Sequence, residues 1–182
     1  QATDVAGNRE TPGAIISFKF DTSTPVSVIS WPTNNAKLSS LATISGTSPA
    51  DTTNVRVSIY NQSAYAYWDG TGWNDAISEN DSWLVGSGTA SWTFTSPTYA
   101  NANWYKIKSK ATDLSNNIET PGAGNSFLFD DIKPTTTIVL PTNNAELKTA
   151  TLITGTVVDG GASGLSNVRL IVKNISTTEY FN

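Results

Sequence analysis

Residues 2–21 read ATDVAGNRETPGAIISFKFD and residues 111–130 read ATDLSNNIETPGAGNSFLFD, with thirteen of twenty positions identical. The same step, 111 − 2 = 109 residues, relates Pro32–Ala36 to Pro141–Ala145, both PTNNA. Four residues are then inserted in the later copy, because Asn54-Val55-Arg56 matches Asn167-Val168-Arg169 at 167 − 54 = 113. A period this long, well beyond that of a solenoid, amounts to one independently folding domain per unit. The phase is offset from the chain ends. It predicts that residues 1–23 are the C-terminal part of one unit, 24–132 a complete unit, and 133–182 the N-terminal part of a third. The chain is thus expected to be an excerpt from a longer array.

No stretch carries a helical period. Short alternating runs are separated by Gly, Pro, Asn and Asp instead. Val26–Ser30, Leu41–Thr47, the run through Val55, Val57 and Ile59, Tyr65–Trp68 returning through Trp73, Ser82–Val85, Ser91–Thr95, Trp104–Ala111 and Asn125–Asp130 are predicted strands. Asp69-Gly70 is a type I′ hairpin signal. In Trp104–Ala111, Tyr105, Ile107, Ser109 and Ala111 face one way and Lys106, Lys108 and Lys110 the other, which predicts a core face and a solvated face. Gly46 marks a close approach of backbones. Seven or eight strands at this spacing predict a two-sheet, all-β antiparallel sandwich.

The run YKIKSKATDLSNN followed by SFLFD and a linker ending in Pro134 resembles the last two strands of bacterial Ig-like repeats, which are similar in shape to fibronectin type III domains. Their loop A-T-D-x-x-G-N is matched by Ala2-Thr3-Asp4 and Gly7-Asn8. The second copy has Asn116 where the first has Gly7, and Asn is the next best residue for a left-handed turn position. The resemblance implies tandem Ig-like sandwiches that act as spacers, adhesive modules or accessory domains of secreted enzymes, with no activity of their own.

With neither His nor Cys, the chain lacks the commonest general base, thiolate metal sites and disulfides. A net charge of −4 argues against a nucleic-acid partner, and no apolar run reaches the ~20 residues of a membrane helix. Ser, Thr and Asn make up about a third of the chain, which suits an extracellular or cell-surface β module.

Two groups of side chains are candidates for chemistry. Asp4, Asn8 and Glu10, matched by Asp113, Asn117 and Glu119, form a candidate calcium set, calcium being the one cofactor the sequence suggests. The local alternative is that Asp113 closes an Asx-type turn on backbone N–H groups. Asp130-Asp131 before Pro134 is a further carboxylate pair at the unit boundary. Tyr65, Tyr67, Trp68 and Trp73 surround the Asp69-Gly70 hairpin and form a candidate glycan platform; the alternative is that they pack at the sheet edge. Asp69, Asp75, Glu79 and Asp81 follow with no spacing that fixes a catalytic pair. The expected role is a non-enzymatic spacer or fibre segment whose partners are neighbouring repeats of the same chain. A carbohydrate-binding module and a filament subunit completed by strand addition from like chains are the alternatives. The linker Asp131-Ile132-Lys133 spans at most ~10 Å, so neighbouring units should nearly touch.

Overall fold

The computed structural model describes residues 1–149 and 152–181. From Val28 to Phe129 the strands are β1 Val28–Trp31, β2 Ala36–Leu38, β3 Thr43–Thr47, β4 Thr52–Asn61, β5 Ala66–Trp68, β6 Trp73–Asn74, β7 Leu84–Val85, β8 Ser87–Gly88, β9 Ser91–Thr95, β10 Asn103–Asp113 and β11 Asn125–Phe129. They build two sheets, β1-β3-β9-β8 and β2-β11-β10-β4-β5-β6, with β7 also on β4. The fold is an all-β, Ig-like sandwich with antiparallel sheets. One pairing departs from the expected pattern: β2 joins β11 in parallel, with Lys37 opposite Leu128. The PTNN segment is where the chain leaves the first sheet for the second, with Asn35 in the left-handed region at φ 62. Residue spacing does not mark this switch, because the three-residue β2 is too short to show alternation.

The core lies between the sheets. Ile44 and Trp92 enter from one side, and Val55, Val57, Ile59, Tyr105, Ile107, Ala111, Phe127 and Phe129 from the other. Gly46 pairs with Trp92 across β3 and β9. A Cβ on Gly46 would overlap both the Trp92 ring and the Val28 carbonyl, so this is the predicted close approach. Trp92 Nε1 donates to the Thr47 carbonyl at 3.2 Å, which fixes the ring over the glycine.

β10 alternates as predicted, with Tyr105, Ile107, Ser109 and Ala111 all buried. A one-residue slip would bury the lysines, so burial sets the register. The lysine face, however, is half-buried rather than freely solvated. The free edge of β4 is shared: β5 pairs at Tyr60 and Asn61, and β7 at Arg56 and Val57. The chain between β6 and β7, including a 3₁₀ turn at Glu79–Asp81, crosses the outer face there. Ser82 Oγ lies 2.7 Å from Ser58 Oγ, both buried. Lys108 Nζ pairs with Glu79 at 2.8 Å, and Lys110 Nζ sits 4.2 Å from the centre of the Trp83 ring. Ile107→Ala should therefore cost about 2–5 kcal/mol. Lys108→Ala should cost no more than about 1 kcal/mol, the value of a partly exposed ion pair. Urea unfolding followed by tryptophan fluorescence tests both, since every Trp of the chain lies between residues 31 and 104. The reverse order would mean that the faces of β10 are assigned backwards.

Outside this sandwich, β12 Thr135–Leu140 pairs with β13 Thr154–Val158, and β14 Val172–Lys173 with β15 Tyr180–Phe181. Many of their apolar side chains are exposed, Ile138 and Phe181 among them. Residues 1–21 contain one isolated bridge, Thr3 to Arg9.

Candidate functional site

The two ATDxxGN loops close by the same bonds. In the first, Asp4 Oδ1 accepts from the N–H groups of Ala6 (2.9 Å) and Asn8 (2.8 Å), and Oδ2 accepts from Asn8 Nδ2 (2.8 Å). In the second, Asp113 Oδ1 accepts from Ser115 and Asn117 (2.8 Å each), and Oδ2 accepts from Asn117 Nδ2 (2.9 Å). Gly7 and Asn116 take the same left-handed position, at φ 90 and 63, so Asn serves where the first copy has Gly. Hydrogen bonds from Asn117, its side chain first, hold the Asp113 carboxyl below the usual carboxylate range.

The glutamates finish the two loops differently. Glu10 Oε2 accepts one N–H, from Ala2 at 2.9 Å, and is exposed. Glu119 is buried, and its Oε2 accepts from Ala111 N (2.8 Å), Ser27 N (2.9 Å) and Ser27 Oγ (2.7 Å). It thereby ties the segment before β1 to β10.

This arrangement does not fit the expected calcium set. The Asp113 carboxylate faces N–H donors of its own loop, while Glu119 turns toward Ser27 and Ala111. Calcium takes six to eight convergent oxygens, and these donors do not converge. Among the described residues no group of three acidic side chains is placed to hold a metal.

The aromatic group is also divided. Tyr65 lies outside β5, exposed, in the left-handed region at φ 57. Tyr67 packs on Tyr60, ring centroids 4.6 Å apart, over the outer face of the large sheet. Trp68 and Trp73 meet edge to face at 5.6 Å and pack against the core, where Trp73 lies 5.2 Å from Tyr105. Strand alternation sends Tyr67 and Trp68 to opposite faces, so the four rings do not form one platform. The turn between β5 and β6 also differs from the type I′ expectation. Trp68 pairs with Trp73, leaving a loop of Asp69, Gly70, Thr71 and Gly72 in which only Gly70 has positive φ. Asp69 Oδ1 closes it by accepting from the N–H groups of Thr71 and Gly72, and these bonds hold the carboxyl down at about 2.

Of the pair Asp130-Asp131, Asp130 is held by bonds from a distant loop. Asp130, at the end of β11, is buried. Its Oδ1 accepts from Ile132 N (3.2 Å) and its Oδ2 from Ser163 N (2.6 Å), and Lys37 Nζ donates to the Ser163 carbonyl at 2.6 Å. The Gly161 backbone lies so close that a Cβ there would overlap the Asp130 carboxylate. Ser163 belongs to the loop lengthened by the four-residue insertion. At the equivalent position Asp21 accepts from Ser23 N (3.0 Å) and pairs with Lys19 (2.7 Å). Hydrogen bonds from Ser163, side chain and then backbone, lower the Asp130 pKa.

All three carboxyls have folded pKa values depressed below the unfolded value. Their contribution is thus complete above the unfolded pKa and is lost as pH falls through the folded one. Stability should be flat from about pH 7 to 5 and fall between about pH 4 and 2. With no His, no step is expected near pH 6. Thermal midpoints measured against pH test this, and a drop between pH 7 and 5 would contradict it.

No family model matches the chain, and no curated protein does. Among solved structures it is similar to the fibronectin(III)-like modules of Clostridium thermocellum CbhA, with 16% identity and a TM-score of 0.38. The match covers 74% of this chain and 63% of that one, so the chain spans less than two thirds of its neighbour's length.

Proposed function

We propose that this chain is a spacer segment of a longer extracellular or cell-surface protein, built from tandem Ig-like units with residues 24–132 as one complete unit, and that it performs no catalysis. The Asp130 junction carries this reading. A buried carboxylate at the end of one unit accepts an N–H from a loop of the next, and a lysine of the first unit reaches the same loop. Such bonds limit bending between units, as a stiff fibre requires. The 109-residue repeat and the polar, Cys-free composition agree with it.

Asp130→Ala should loosen the junction. Small-angle scattering of the full chain should then show a broader distribution of lengths, and residues 133–181 should tumble more independently of 24–132 by NMR relaxation. Unchanged profiles in both measurements would remove the junction as a stiffening element. Completion by strand addition from a second chain draws on the exposed apolar side chains of β12 to β15. A molar mass that rises with concentration in light scattering would favour it.

A further inference from the structure

The outer face of the large sheet carries a cleft that the spacer role does not use. Its floor is Ser58, sealed by Ser82. One wall is the tilted pair Tyr60 and Tyr67. Lys106 and Lys108 line the opposite strand, β10, where they stand across from Tyr60 and Ser58. Glu79, from the crossing segment, and Gln62 complete it, and the half-open space between them is about 210 Å³. That is smaller than a drug-sized pocket and suits one ring-sized ligand.

The basic residues of the sandwich gather on this face. Four of the five basic residues between 24 and 132, namely Arg56, Lys106, Lys108 and Lys110, are on it, since only Lys37 lies elsewhere. Glu79 is the acid of the cleft, and it is paired with Lys108. Lys106 has no ion-pair partner among the described residues. The cleft therefore offers one uncompensated ammonium with three donors, a neutral amide and hydroxyl, and the apolar surface of two phenol rings whose polar ends can still hydrogen-bond. A ligand matching all of these has a ring with an apolar C–H face, hydroxyls around its edge and a single carboxylate.

We infer that the cleft formed by Tyr60, Tyr67, Gln62, Lys106, Lys108 and Glu79 binds one carboxylated pyranose, a uronic acid unit of an acidic glycan. The tyrosines take the sugar face, and Lys106 takes the carboxylate in a charge-assisted hydrogen bond. The site is distinct from the four-ring platform expected from sequence: it keeps Tyr67, leaves out Tyr65, Trp68 and Trp73, and adds Tyr60 and the lysines. It is also independent of the spacer reading, because it lies away from the Asp130 junction.

The test is titration of the isotope-labelled 182-residue chain with methyl β-D-glucuronide and methyl β-D-glucoside, which differ at the carboxylate. Glucuronide should give saturable shifts centred on Tyr60, Tyr67, Lys106 and Lys108, and glucoside should bind at least about tenfold more weakly. Lys106→Gln, which keeps the stem and removes the charge, should weaken glucuronide binding about tenfold. Tyr65→Ala, outside the cleft, should leave it unchanged. Tyr67→Leu should abolish binding; if that variant fails to fold, the lysine variant carries the test. Absence of saturable shifts in the cleft, equal binding of the two sugars, or wild-type affinity in Lys106→Gln would overturn the inference. Identical shifts with sodium acetate alone would reduce the site to simple anion attraction and overturn it equally.

Discussion

Trp92→Ala is expected to destabilise the sandwich by about 3–5 kcal/mol, seen as a lower urea midpoint with an unchanged slope. Trp92 is among the largest fully buried side chains. Its ring covers Gly46 on the facing strand, and its indole N–H is satisfied by the Thr47 carbonyl. Truncation leaves a cavity bounded by a residue with no side chain to collapse into it, so relaxation should recover little. The same geometry makes Gly46→Ala costly for the opposite reason: the new methyl overlaps the ring and the Val28 carbonyl, an overpacking worth about 1–3 kcal/mol or more. The two effects share one volume. The double variant Gly46→Ala/Trp92→Ala should therefore cost less than the sum of the single variants, because removing the ring frees half of the clash. Strict additivity would show that Gly46 is required by its backbone alone and that ring and glycine are not coupled.

Alternation in the sequence made the core legible. Val55, Val57 and Ile59 in β4 and Tyr105, Ile107 and Ala111 in β10 are buried where the period of two places them. The ATDxxGN loops were legible for a second reason: their bonds are local. Asp4 and Asp113 close the same turn although one loop is exposed and the other packs against a sandwich. The SF-x-FD motif shows the limit of that logic. Phe127 and Phe129 lie buried in β11, between β10 and β2, while Phe18 and Phe20 of the matching block form no strand and are exposed. A strand needs a neighbour to pair with, and no motif encodes the neighbour.

The outer face was missed for a related reason. Lys106, Lys108 and Lys110 have the pattern of a solvated face. Whether a distant segment crosses that face depends on how β5 and β7 divide the edge of β4, which residue spacing does not report. Glu79, Ser82 and Trp83 carry no local signal for the contacts they make. The aromatic hairpin does not make one platform because proximity in sequence is not proximity on one face: adjacent residues of a strand point apart.

Glu119→Ala is expected to cost about 4 kcal/mol, while its repeat equivalent Glu10→Ala should change stability by less than about 0.5 kcal/mol. Sequence makes the two positions identical, each the E of an ETPGA block. Structure separates them. Glu119 Oε2 is buried and accepts from Ala111 N, Ser27 N and Ser27 Oγ, and Ser27 Oγ also lies 2.8 Å from Ser109 Oγ. Hydrogen bonds to a charged acceptor are worth about 1.5–3 kcal/mol each, and removing the acceptor leaves the buried Ala111 N–H unpaired and frees the two half-buried donors of Ser27. Glu10 accepts one exposed N–H that water can replace. Glu119→Gln can place its one amide oxygen where Oε2 accepts all three bonds, and should recover most of the loss, short of the part that the negative charge contributes. The comparison requires only the urea midpoints of the three variants, read by tryptophan fluorescence. Near-equal values for Glu119→Ala and Glu10→Ala would mean that the tie between the segment before β1 and β10 contributes nothing to stability.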